Sequence, residues 1–202
     1  AQISAPDSFD LSPGAKPFSR NARNWCLRRV DASRASLGQL GFPPWAKDEL
    51  RRIGTSSGLV LVAGSFGSGK STTSAACFKD WITQYGGVGV TLEDPPEKAL
   101  DGYYDNGRIF QISVRDSEFA KAIKASRRWA YRYLYLGEVR DHASATELLQ
   151  ISLGGPMVIT TIHATAPVEA LMALAKFATG ASDPRSVNDR IAACIVGVLW
   201  QS

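Results

Sequence analysis

Apolar positions along this chain follow two different periods. In the run 58–63, Leu59, Val60, Leu61 and Val62 stand in succession and are apolar on both faces, which predicts a central parallel strand covered by helices on each side. A glycine-rich turn closes that strand. The stretch 71–85 then places Phe78, Trp81, Ile82 and Tyr85 three and four residues apart, the spacing of a helix with one apolar face, and Gly86-Gly87 ends it. Further strands are predicted at 88–92, 134–136, 157–162 and 195–200, with helices near 117–129, 142–153, 167–179 and 187–195. Ser186 with Asp189 three residues on predicts a capping box for the last helix.

Pro43-Pro44 opens an earlier helical pattern, with Leu50 and Ile53 spaced three apart. Strands alternating with helices predict an α/β fold, a mainly parallel central sheet flanked by helices. Before it, residues 1–19 carry Pro6, Pro13, Gly14 and Pro17 and read as a linker, and 25–30 reads as a short strand. The expected division is therefore a linker and remnant strand over 1–34 and one core over 35–202.

Size and composition narrow the class. At 202 residues with 45% apolar and 21% charged positions, the chain is an ordinary globular protein of one domain with an appendage. A net charge of +4 is too small to identify an acidic partner. Cys26, Cys77 and Cys194 are far apart and lack zinc spacing, so a reducing compartment fits better than a disulfide framework. No run approaches the ~18 apolar residues of a membrane span, and a secretory leader pattern is missing from the first ten positions, which predicts a cytoplasmic protein. A chain starting with Ala1 is expected to be an excerpt of a longer one.

The chemistry starts in the turn. Gly64-Ser65-Phe66-Gly67-Ser68-Gly69-Lys70-Ser71-Thr72 satisfies G-x-x-x-x-G-K-[ST] between a strand and a helix, the context a phosphate-binding loop requires. Its glycines let backbone N–H groups converge on phosphate oxygens, and the following helix points its positive end at the same anion. Lys70 is then placed to reach the β- and γ-phosphates, and Ser71 to ligate magnesium.

Phosphoryl transfer also needs an acid at the metal and a group that orients water. Leu134-Tyr135-Leu136-Gly137-Glu138 is an apolar strand ending in an acid, expected beside the loop strand, which makes Glu138 the candidate for the metal shell. In Thr91-Leu92-Glu93-Asp94-Pro95-Pro96-Glu97 two adjacent carboxylates stand at a strand end, and one could position the attacking water. Thr160-Thr161-Ile162-His163-Ala164 ends a strand in hydroxyls and one of the chain's two histidines.

Taken in order, GSFGSGKST, TLEDPPE, LYLGEVRD and ITTIHA resemble the Walker A, Asp box, Walker B and His box of the traffic ATPases of type II secretion, type IV pili and type IV secretion. The resemblance runs from about Leu37 to Gln201. It implies a RecA-like P-loop NTPase core over 35–202 that binds ATP and Mg2+ and works as a hexamer on the cytoplasmic face of the inner membrane, against a membrane platform protein; no specific nucleic-acid partner is expected, since the chain shows no obvious basic arm or aromatic-basic interleaving. By the same resemblance Lys70, Ser71 and Thr72 hold phosphates and metal, Glu93 activates water, Glu138 is the Walker B acid, and His163 senses or contacts the γ-phosphate region.

Family members also carry arginines in or near an N-terminal domain that reach the nucleotide. Arg20, Arg23, Arg28 and Arg34 are the candidates, Arg28 being counted with the nucleotide-binding residues. The chain departs from the pattern at Ser65-Phe66, where proline and threonine are common, and at Ala130-Tyr131-Arg132, where an acid-proline-acid run is usual. It is also expected to lack the family's C-terminal helices. Two other functions compete with a secretion motor: a RecA-like nucleic-acid motor, and a regulatory subunit that binds nucleotide without hydrolysing it.

Overall fold

The computed structural model describes residues 9–10, 28–29, 36–180 and 183–202. The first two pairs form a two-residue antiparallel ladder, β1 (Phe9–Asp10) with β2 (Arg28–Arg29). Of the strand expected over 25–30, Arg28–Arg29 is present, and its other positions lie outside the described residues.

The continuous apolar run at 58–63 becomes β3 (Gly58–Gly64), buried at all seven positions. Leu59, Leu61 and Ala63 face one apolar layer and Val60 and Val62 the other, so a two-sided run yields a strand covered on both faces. β3 lies between β8 (Met157–His163) and β9 (Ile195–Gln201), parallel to both. β4 (Gly87–Glu93) lies between β6 (Gly107–Ser113) and β7 (Tyr133–Glu138), and β7 pairs with β8. The sheet order is β5-β6-β4-β7-β8-β3-β9, parallel throughout except at the β5 (Gly102–Tyr104) edge.

Two outcomes differ from the sequence reading here. The β5–β6 hairpin was not predicted: β5 is three residues long, and β6 reads Gly-Arg-Ile-Phe-Gln-Ile-Ser with Ile109 alone fully buried, too weak a pattern to stand out. In addition, β7 was expected next to the loop strand, whereas β8 separates them.

On one face α1 (Pro44–Ile53) and α2 (Lys70–Tyr85) pack through Leu50, Ile53, Phe78, Trp81 and Ile82. On the other lie α3 (Phe119–Ser126), α4 (His142–Ser152), α5 (Pro167–Thr179) and α6 (Pro184–Cys194). α3 is shorter than the expected 117–129, because a 3-10 turn leads into it and Ser126 Oγ donates back to the Ile123 carbonyl at its end. α6 begins earlier than the expected 187. Asp183 caps it by accepting from the Arg185 and Ser186 amides, with Pro184 at the first turn, so the anticipated Ser186–Asp189 capping box is replaced.

Trp81 locks the first layer. Its ring is stacked at 6.0 Å on Tyr133 and its Nε1 donates to the Leu50 carbonyl at 2.7 Å, while Tyr133 donates to Gly54 O at 3.0 Å. A Cβ on Gly54 would lie 2.2 Å from the indole, so only glycine lets the end of α1 approach α2 this closely. Cys77 and Cys194 are buried free thiols, and burial pushes Cys77 up to about 12. Among the described residues no helix is long and apolar enough to cross a membrane.

Candidate functional site

The carboxyl ends of β3, β8, β7 and β4 open on the same side, as parallel pairing requires. The nine residues from Gly64 to Thr72 turn from β3 into α2 there. Gly67 and Gly69 hold φ of 77° and 90°, left-handed values that glycine reaches without a steric penalty. A Cβ at Gly64 would stand 2.3 Å from the Gln201 carbonyl, and Gln201 Nε2 donates to Ser68 O, so the end of β9 braces the loop. Ser65 O accepts from the Ser68 amide. Phe66 is 88% exposed at the rim.

Lys70 opens α2 and is only 7% exposed. Its Nζ donates to Ser65 O at 2.7 Å and lies 3.4 Å from His163 Nδ1. Burial depresses its pKa below the ordinary lysine value, and the carboxylates of Glu138 and Glu97 pull it back up. His163 follows from register, since it ends β8 directly opposite Gly64. Glu138 ends β7, two strands from the loop, beside a register shift that pairs it with Thr161. Its Oε1 lies 3.3 Å from His163 Nε2, and its Oε2 accepts from Arg140 Nε at 2.8 Å. The carboxylate thus reaches the loop lysine through an imidazole, across the intervening strand.

Two neighbouring compartments result, with Ser71, Glu138 and Thr161 lining both. The larger, about 310 Å³, is lined by Gly67, Lys70, Ser71, Thr72, Glu138 and His163 among others. The smaller, about 50 Å³, is lined by Ser71, Glu93, Glu97, Tyr135, Glu138 and Thr161 among others. Glu93 is 2% exposed, and burial lifts its pKa above the usual carboxylate value, opposed by an amide hydrogen bond from Gln111 Nε2 at 2.9 Å. Tyr135, wholly buried beside Glu93, has its phenol raised well above the ordinary value by that burial. Asp94 lines the same small compartment, so Glu93 and Asp94 both stand beside it.

The residues present fit a triphosphate with magnesium. The first turn of α2 presents backbone N–H groups that have no partner within the helix, a Cβ at Gly67 would meet open space, and one buried lysine stands at the loop. No group of three or more His, Cys, Asp or Glu side chains gathers to hold a metal ion among the described residues. The donors at hand, a Ser71 hydroxyl and a Glu138 carboxylate, suit magnesium, which keeps waters and phosphate oxygens as its other ligands.

The structure therefore brings Gly64 through Thr72, Glu93, Glu138 and His163 to one place. Arg28 is described only as a position in β2, and Arg20, Arg23 and Arg34 lie outside the described residues. Sequence reasoning missed Gln111, which stands on the unpredicted strand β6, and gave no role to Arg140, although an arginine two places after the strand-ending acid was there to read.

A family model described as type II/IV secretion system protein matches residues 13–202. The type II secretion system ATPase E of Vibrio cholerae is 34% identical over 171 residues, which is 83% of this chain and 33% of that protein. The pilus retraction motor PilT, solved with ADP, superposes with a TM-score of 0.77 at 26% identity, covering 87% of this chain and 50% of that one. The ATPase DotB of Legionella pneumophila gives the same TM-score at 25% identity, over 87% and 48%. This chain thus spans about a third of the Vibrio relative and about half of the two solved chains. With a RecA-like sheet and a family match over nearly its whole length, the chain belongs to the type II/IV secretion system protein family.

Proposed function

We propose that this chain is the ATP-hydrolysing core of a secretion or pilus motor. The observation that carries the reading is the convergence of Lys70, His163 and Glu138 over the Gly64–Thr72 loop, with Glu93 buried in an adjoining compartment large enough for a water. Loop amides and Lys70 hold the phosphates. Ser71 and Glu138 hold Mg2+, which supplies charge neutralisation at the transferred phosphoryl when bound. Glu93 orients the attacking water, and burial raises its pKa, the direction that makes a carboxylate a better proton acceptor. His163 touches both Lys70 and Glu138, a position from which it reports whether the γ-phosphate end is filled.

A homo-hexamer with nucleotide at the subunit boundaries, a station on the cytoplasmic face of the inner membrane, and a membrane platform protein as partner complete the proposal. Its supports are family membership and the likeness to a pilus retraction motor and a DotB ATPase. The domain division at about residue 35 belongs to the same reading. The test is phosphate release by the purified full-length protein with MgATP. The proposal predicts Mg-dependent turnover that Lys70→Ala abolishes, and turnover indifferent to that substitution, or none in the wild type, would reject it.

A further inference from the structure

The amide of Gln111 uses its whole hydrogen-bonding capacity at one point. Nε2 donates to Glu93 Oε1 at 2.9 Å and to Lys98 O at 2.6 Å, and Oε1 accepts from the backbone amides of Leu100 and Asp101 at 2.9 and 3.3 Å. Two donors and two acceptor sites are all that a glutamine side chain offers. The main chain joins in, because the Gln111 amide donates to Asp101 Oδ1 at 3.2 Å and Asp101 Oδ2 accepts from Arg108 at 3.2 Å. Gln111 stands on β6 opposite Thr91, two residues before Glu93 on β4. One side chain therefore ties the segment 94–101 to the sheet and holds one oxygen of Glu93.

We propose that Gln111 is the positioning residue for Glu93, fixing the direction in which that carboxylate faces its small water compartment. The inference rests on the reading of Glu93 as the water-orienting group. A buried glutamate with two flexible methylenes has several rotamers, and a tether on Oε1 selects among them. A misplacement of about 1 Å at a reacting group costs on the order of 100-fold in rate. The same bond favours the charged carboxylate, since an amide N–H donates to it better than to the neutral acid. Other titratable or charged groups sharing the compartment are Asp94 and Glu97 from the same segment, Tyr135 and Glu138 from β7, and Arg140 beyond it.

A plain staple for the segment 94–101 is the competing role, and it is separable. Gln111→Glu keeps the shape of the side chain and its acceptor for the Leu100 and Asp101 amides, but removes the nitrogen that donates to Glu93 and to Lys98 O. Asp101→Asn loosens the segment while leaving the donor in place. In the full-length protein Gln111→Glu and Gln111→Leu are expected to lower kcat by about 100-fold while KM for ATP moves less than about 3-fold. Both should shift the acid limb of kcat against pH upward, and Asp101→Asn should leave that limb where it is in wild type. The proposal is overturned if Gln111→Glu retains kcat, if neither Gln111 variant moves the limb, or if Asp101→Asn moves it equally. Glu93→Gln in the same assay separates the two levels. Undiminished turnover there removes the assigned role of Glu93 itself, whereas collapse there beside active Gln111 variants removes only the positioning role.

Discussion

His163 Nε2 stands 3.3 Å from Glu138 Oε1, although the two residues close neighbouring strands and belong to motifs that look independent in the sequence. The other ring nitrogen lies 3.4 Å from Lys70 Nζ. One imidazole thus joins the lysine of the loop to the acid assigned to the metal.

Lys70→Ala should leave the fold intact and lower ATP turnover by about 100-fold or more, the usual scale for losing one preorganised charge-stabilising donor. The nearly buried ammonium is held by Ser65 O and His163 Nδ1, with Glu138 and Glu97 acting on it electrostatically, so its removal costs two polar contacts at the rim of the core. Steady-state phosphate release beside a thermal melt checks both halves, and lost turnover accompanied by a lost melt would void the interpretation.

Glu138→Gln should raise the magnesium concentration needed for half-maximal turnover by about tenfold or more, on the scale seen when metal-site partners are altered. Arg140 would lose its carboxylate partner in the same change. A magnesium titration at saturating ATP reads the effect, and an unchanged midpoint would place the metal elsewhere.

The pH dependence follows from Glu93. Its folded pKa is raised above 4.5 by burial, so the folded state holds the proton more tightly than the unfolded chain does. Ionised Glu93 therefore weakens folding at neutral pH, and the penalty disappears as pH falls through its folded pKa towards 4.5. Glu93→Gln should melt higher than wild type near pH 7, converge with it at acid pH, and have almost no turnover. Wild-type kcat should fall on the acid side at a pH above 4.5. Melting curves from pH 4 to 8, on about half-unit steps, test the sign.

Trp81→Ala should destabilise the chain by about 3 to 5 kcal/mol, the range for removing a large buried aromatic. It empties the space between α1, α2 and Tyr133 and strips the Leu50 carbonyl of its indole donor. Denaturant unfolding measures the loss, and a cost below about 1 kcal/mol would mean that the layer collapses around the gap.

Much of this was legible along the chain. The uninterrupted apolar run at 58–63 specified a strand buried on both faces, and the glycine spacing with Lys70 specified a phosphate loop, because both depend on residues close in sequence. The β5–β6 hairpin was not legible. Its burial comes from α2 and β4 packing on Ile109, and a Cβ on Gly107 would lie 2.3 Å from the Gly87 carbonyl, so its stabilising contacts are nearly all non-local. Gln111 went unseen with it.

By itself the sequence determined the individual parts: a loop for phosphate, strand ends bearing Glu93, Glu138 and His163, and the faces each helix must bury. Local spacing is sufficient there, since backbone conformation and amphipathic period are short-range properties. Only the tertiary structure decided that β8 separates the β3 and β7 strands, that His163 consequently bridges Lys70 to Glu138, and that Gln111 holds Glu93. Strand order is a choice among pairings of similar local quality, made by how both apolar layers pack at once, and no stretch of sequence contains that comparison.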